Sequence, residues 1–141
     1  MNFVLDASVA LLWLVPETNP AGVDYAATTL RALKGSQAVV PSLLALEIAN
    51  VVVKVESRGF VTEADAQRFI ALLGRLNIVT DQATAAHALG DTLNLARRFK
   101  LSAYDAAYLE LALRTGLPLA TLDADLTQAA STAGVAIFGA H

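Results

Sequence analysis

The stretch Asn2-Phe3-Val4-Leu5-Asp6-Ala7-Ser8-Val9 sets an apolar run directly against a carboxylate, and its reading decides the fold. Residues 2–5 look like a buried strand. Asp6 ends it with a charge that a core holds only at high cost. Apolar sequence resumes at once in Val9 to Val15, which predicts a helix over 8–15, ended by Pro16. One carboxylate is therefore pinned between two buried elements.

The same alternation continues along the chain. Helices are predicted over 19–34, 42–58, 62–73, 82–99, 102–115 and 124–133. Strands are predicted over 38–40, 77–79, 117–120 and 135–138. Gly35, Gly59 and Gly116 close helices, and Pro41 reads as a first helical position. Thr62 to Asp65 and Ser102 to Asp105 have the form of capping boxes. Short strands alternating with helices imply βαβ units about a parallel sheet. The strands are apolar throughout, as expected when helices cover both faces.

The bulk properties fit. The 141 residues suit one domain over 1–141. Hydrophobic residues make up 55%, yet no run reaches the roughly 18–20 apolar residues of a membrane span. Residues 1–15 lack a basic stretch ahead of the apolar part, so no signal peptide is expected. The absence of cysteine excludes disulfides, thiolate metal sites and cysteine nucleophiles, and fits a cytoplasmic protein. So apolar a small chain is expected to bury surface against a homodimer mate, another protein, or both. A net charge of −3 speaks mildly against nucleic-acid binding.

In a parallel sheet, functional groups collect at the carboxyl ends of strands. Asp6 lies at one such end and Asp123, in Thr121-Leu122-Asp123-Ala124-Asp125-Leu126, at another. Glu47 shares a helical stripe with Leu43, Leu44, Asn50 and Val51, where a solvated glutamate would not be placed. Asp105 shares its face with Leu109 and Ala112. Each acid has an ordinary structural explanation: Asp6 and Asp123 as helix caps, Asp105 as a first-turn charge, Glu47 as a side chain reaching water. Ser8 and Thr121 place hydroxyls beside the two strand ends, to orient a carboxylate or to satisfy backbone. Gathered at one edge, four carboxylates repel and take up protons unless a cation neutralises them. Oxygen donors without histidine or cysteine select Mg²⁺ or Mn²⁺. Such an ion supports phosphodiester hydrolysis.

The ordered stretches VLDASVALLWLVPE, PSLLALEIANVV, LSAYDAAYLELAL and LATLDADL resemble the PIN-domain family, and within it the VapC-type toxins of bacterial toxin–antitoxin pairs. The resemblance implies a three-layer α/β/α domain around a central parallel sheet of four to five strands. It implies a Mg²⁺- or Mn²⁺-dependent endoribonuclease blocked by a small antitoxin protein. The family's acids fall on Asp6, Glu47, Asp105 and Asp123, with supporting residues at Ser8, Asn50 and Thr121. Asp125 is a further possible member. By that likeness Asp6, Asp105 and Asp123 hold metal, and Glu47 binds metal or orients the attacking water.

With those four acids set aside, nine acids face ten bases, so local patches could hold RNA. Arg97, Arg98 and Lys100 form the best such patch, ahead of Arg58, Arg75 and Arg114. Two other functions compete. One is a non-catalytic PIN-like module for dimerisation or partner binding. The other is an aspartyl-phosphate phosphoryl-transfer domain, which would want a second acid near Asp6 where Ser8 stands. His87 shares a face with Asp91, Asn94 and Arg98 and is expected to be exposed, without a catalytic role. Trp13 and Phe3 are expected in the core or an interface. His141 is given no role.

Overall fold

The computed structural model describes residues 1–139; His141 lies outside the described residues. Four strands form one parallel sheet: β1 (Phe3–Leu5), β2 (Ala38–Pro41), β3 (Ile78–Asp81) and β4 (Leu119–Ala120), in the order β3-β2-β1-β4. The predicted last strand, 135–138, contributes a single parallel bridge, Leu119 to Ile137. The expected four-to-five-stranded α/β architecture is thus present.

The helices are α1 (Ala7–Ala10), α2 (Val23–Ala32), α3 (Leu44–Ser57), α4 (Glu63–Arg75), α5 (Thr84–His87), α6 (Leu93–Phe99), α7 (Ala103–Thr115) and α8 (Ala124–Ala133). Right-handed crossovers put α1–α4 on one face of the sheet and α5–α8 on the other. The contacts agree: α3 touches α1 and α4, whereas α7 touches α6, α8 and the strands β1, β2 and β4. Among the described residues, no helix is long and apolar enough to cross a membrane.

The core sits on both faces of β1, whose residues Phe3, Val4 and Leu5 are fully buried with Leu109, Leu119 and Leu126. Phe3 stacks on Phe138 with ring centroids 4.1 Å apart. Trp13 donates its indole N–H to the Ala26 carbonyl at 2.8 Å. Both aromatics are structural, as expected from the sequence.

Four boundaries differ from expectation. Pro41 is the last residue of β2, in register with Asp81, rather than the first of a helix. Proline holds Val40 extended, so the strand runs into it and α3 starts at Leu44. Ahead of α2, 3₁₀ turns at Pro16–Thr18 and Pro20–Gly22 replace the early part of the predicted helix. There Gly22 lies so close to the chain's other end that an added Cβ would stand 2.7 Å from Leu122 Cδ1. The helix predicted over 8–15 is α1 followed by a 3₁₀ turn, Leu11–Trp13. The helix predicted over 82–99 is broken by a π-helical turn, Ala88–Thr92, that contains Gly90.

The capping expectations fare unequally. Thr62 and Asp65 form a reciprocal box at α4, with bonds of 3.0 and 3.1 Å. At α7, Ser102 Oγ accepts from the Asp105 N–H at 3.1 Å, which is half of a box.

Candidate active site

Strand β1 leads to β2 on one side, while its other neighbour, β4, leads away through α8. This is the topological switch point, where the carboxyl ends of adjacent parallel strands leave a crevice. Asp6 leaves β1 there, and its N–H is tied to the Ala120 carbonyl at 3.0 Å. Thr121, Leu122 and Asp123 follow directly on β4.

Asp6 is 4% exposed. It occupies the N-cap position of α1, but its side chain does not cap that helix. Its Oδ2 instead accepts from Ser8 Oγ at 2.6 Å and from Thr121 Oγ1 at 2.8 Å. The hydroxyl oxygens in turn accept backbone N–H groups, Leu122 on Ser8 at 3.0 Å and Asp123 on Thr121 at 3.1 Å. The two strand ends are laced together through one carboxylate oxygen. Burial raises the Asp6 pKa, the two hydroxyl bonds oppose this, and the charge of Asp123 adds to it.

Asp123 caps α8 as its sequence context suggested, with Oδ1 accepting the Leu126 N–H at 2.8 Å. The cap engages one oxygen and leaves the carboxylate close enough to act on Asp6 and Asp105. Asp105, in the first turn of α7, is half-buried. Its pKa is pushed up to about 6 by burial, then by the charges of Asp123 and Asp6, with a smaller push from Asp125. Glu47, on α3, is half-buried too. Burial raises its pKa, with Asp6 and Asp105 adding to the rise and a hydrogen bond opposing it. That bond, 2.5 Å long, comes from the Tyr108 hydroxyl to Oε1.

The structure therefore brings Asp6, Asp105 and Asp123 within electrostatic reach of one another and Glu47 within reach of Asp6 and Asp105, with Asp125 at the margin. Among the described residues, no three Asp, Glu or His side chains close in tightly enough to enclose an ion by themselves. The donor chemistry fits a hydrated divalent cation nonetheless. Mg²⁺ keeps several waters and is held by one or two carboxylates. Burial and mutual repulsion both disfavour the negative charges here, and a cation relieves the repulsion.

Outside this cluster the sequence reading is less exact. Asn50 is exposed and lies beside Glu47 in a shallow groove with Leu11, Leu46 and Tyr104. Arg97, Arg98 and Lys100 are exposed. Arg98 lies over the Phe99 ring at 5.0 Å and borders a groove with Glu110 and Arg114, which α7 turns away from Asp105. Lys100 ends α6 in the left-handed conformation, φ 56°.

Arg114, weighed as an RNA contact, is instead engaged within the protein. It forks onto Asp81 at 2.8 and 3.1 Å and reaches buried Glu110 at 2.8 Å. His87 is half-buried rather than exposed, with Nδ1 3.9 Å from Glu110 and 3.8 Å from Asp91. Tyr108 was not foreseen. Its only sequence signal is a polar hydroxyl in an otherwise Ala- and Leu-rich helix, three residues after Asp105.

Comparison with known proteins agrees with this architecture. The model of the PIN domain family matches residues 3–131. Ribonuclease VapC3 of Pyrobaculum aerophilum is 30% identical over 128 residues, covering 91% of this chain and 94% of the relative. Among solved structures, PAE2754 from Pyrobaculum aerophilum superposes with a TM-score of 0.62 at 21% identity, covering 92% of this chain and 87% of the other. VapBC2 from Rickettsia felis, bound to a DNA fragment from their promoter, gives 0.67 at 16% identity, covering 97% of each chain.

Proposed function

This chain belongs to the PIN domain family, and from that premise we propose that it is a metal-dependent endoribonuclease, the toxin of a toxin–antitoxin pair, acting as one domain. The observation that carries the reading is the convergence of four carboxylates from distant parts of the chain on the β1/β4 switch point, where Asp123 acts on Asp6 and Asp105, and Asp6 and Asp105 act on Glu47. The relative from Pyrobaculum aerophilum, a ribonuclease by name, supports RNA as the substrate.

Asp6, Asp105, Asp123 and Glu47 are assigned to hold Mg²⁺ or Mn²⁺. When bound, such an ion polarises a phosphodiester and lowers the pKa of water. Ser8 and Thr121 orient Asp6 by occupying its Oδ2 and keep its charge tolerable before the ion arrives. Asp123 divides its carboxylate between the α8 cap and the site. Asp105 stands at the start of α7, within the field of the other acids, and a bound cation would favour its charged form.

A small antitoxin protein and a second copy of the chain are the assigned partners. Exposed Leu46, Val53 and Ile70 support them, as does a largely apolar groove of about 570 Å³ lined by Ile48, Val52 and Leu73. The test is the partner-free chain with single-stranded RNA and Mg²⁺ or Mn²⁺. Internal cleavage is expected, lost on chelation and in Asp6→Asn. No cleavage, or cleavage indifferent to both, would leave the non-catalytic module as the better reading.

A further inference from the structure

The shortest hydrogen bond made to any of the four acids comes from outside them, from Tyr108. Tyr108 is fully buried on α7, and its hydroxyl donates to Glu47 Oε1 at 2.5 Å, across 61 residues of sequence. Phe would fill the same volume, so packing alone does not call for a phenol. Burying a hydroxyl is costly unless it is bonded, and here the bond it makes is with an acid of the candidate site.

The geometry of α7 adds to this. Asp105 and Tyr108 are three residues apart, hence neighbours on one helical face. The helix that presents one acid thereby grips another, which arrives on α3 from the opposite side of the sheet. Glu47 has a flexible side chain, half-exposed beside a shallow groove. Without a tether it would adopt several rotamers, most of them directed to water. The phenol occupies Oε1 of a carboxylate that already feels the charges of Asp6 and Asp105.

We propose that Tyr108 is the positioning residue for Glu47: its hydroxyl fixes the carboxylate so that the second oxygen addresses a divalent cation at the Asp6–Asp105–Asp123 cluster. The proposal rests on the nuclease reading for its reaction, but not for the cation, which can be measured separately. Outer partners of metal-holding carboxylates typically change affinity or activity by about 10–100-fold when removed.

The experiment is a double-mutant cycle of Tyr108→Phe and Glu47→Gln on the full chain. Mn²⁺ affinity is read by electron paramagnetic resonance, with RNA cleavage and thermal melting alongside. Tyr108→Phe is expected to bind Mn²⁺ about 10–100-fold more weakly and to lower kcat while KM for RNA stays constant. Added to Glu47→Gln, it should change nothing further, because the group it positions is gone. A purely structural tyrosine would produce losses that multiply.

Glu47→Asp, which keeps the charge but withdraws it from the phenol, should reproduce Tyr108→Phe and serves if that variant folds poorly. Multiplicative losses, Tyr108→Phe within twofold of the parent in Mn²⁺ affinity, or a parent chain that binds no Mn²⁺ would each overturn the proposal. Mn²⁺ binding with a non-additive cycle but no RNA cleavage would overturn the nuclease reading and leave this one standing.

Discussion

Thr121 donates to Asp6 at 2.8 Å across 115 residues of sequence, and the same hydroxyl oxygen accepts the Asp123 N–H. This one oxygen couples the ends of β1 and β4, orients one acid of the candidate site and anchors the backbone of another. Thr121→Val removes the donor and leaves the Asp6 carboxylate buried with one hydroxyl partner instead of two. A buried group deprived of its partner costs about 1–3 kcal/mol. Urea denaturation at neutral pH should show a loss of that size. Ser8→Ala, which strips the other partner from Oδ2, should show a similar one.

Asp105 makes the ion-free protein pH-sensitive in a defined direction. Its folded pKa, about 6, lies above the ordinary aspartate value, so in the intervening range the folded chain binds more protons than the unfolded one. The stability this contributes is present at low pH and is lost as pH rises through about 6. Asp105→Asn should reduce that dependence, leaving the part due to Asp6 and Glu47, and raise Tm relative to the parent at pH 7.5 in a chelating buffer. Melting curves of both chains between pH 4.5 and 8 check it. A parent whose advantage over the variant grows with pH would contradict the assignment.

Asp123 has two duties that two substitutions separate. Asparagine is as good an N-cap as aspartate, whereas alanine is not. Asp123→Asn should therefore keep α8 capped and leave stability near the parent's, while Asp123→Ala should lose about 1 kcal/mol. Both should lose RNA cleavage, because both remove a charge from the cluster. Chemical denaturation beside a cleavage assay reads the two effects independently.

Arg114 belongs to the fold rather than to an RNA surface. Truncation to leucine would strand Glu110, which is 5% exposed, and free Asp81 at the end of β3. A loss of about 2 kcal/mol is expected, less than a fully buried pair would cost because the fork onto Asp81 is partly solvated. Cleavage per folded molecule should stay unchanged. Denaturation curves and activity normalised to folded protein distinguish this from a role in binding RNA.

Much of this was written into the sequence at the points where physical conflict is greatest. Asp6 after three core residues, and Glu47 on an apolar stripe, are placements that burial alone disfavours, so they stood out. The parallel sheet followed from apolar strands alternating with helices. What stayed hidden depended on neighbours that the sequence does not name. Pro41 extends β2 because β3 lies beside it; locally, a proline before a helix reads equally well as its first residue. The turn at Ala88–Thr92 packs against α6 and α7, neighbours the sequence does not name, and Gly90 only hints at it. Tyr108 went unread, since its partner lies on a helix 61 residues away. Arg114 looked free because Asp81 and Glu110 come from different elements.

The proposed site needs a divalent ion to make the charge of its carboxylates tolerable. Calorimetric titration of Mn²⁺ into the partner-free chain at pH 7.5, repeated for Asp6→Asn and Asp105→Asn, tests it most directly. Saturable binding by the parent is expected, severely weakened in both variants although each remains folded. A parent that binds no Mn²⁺, or variants that bind it as the parent does, would contradict it.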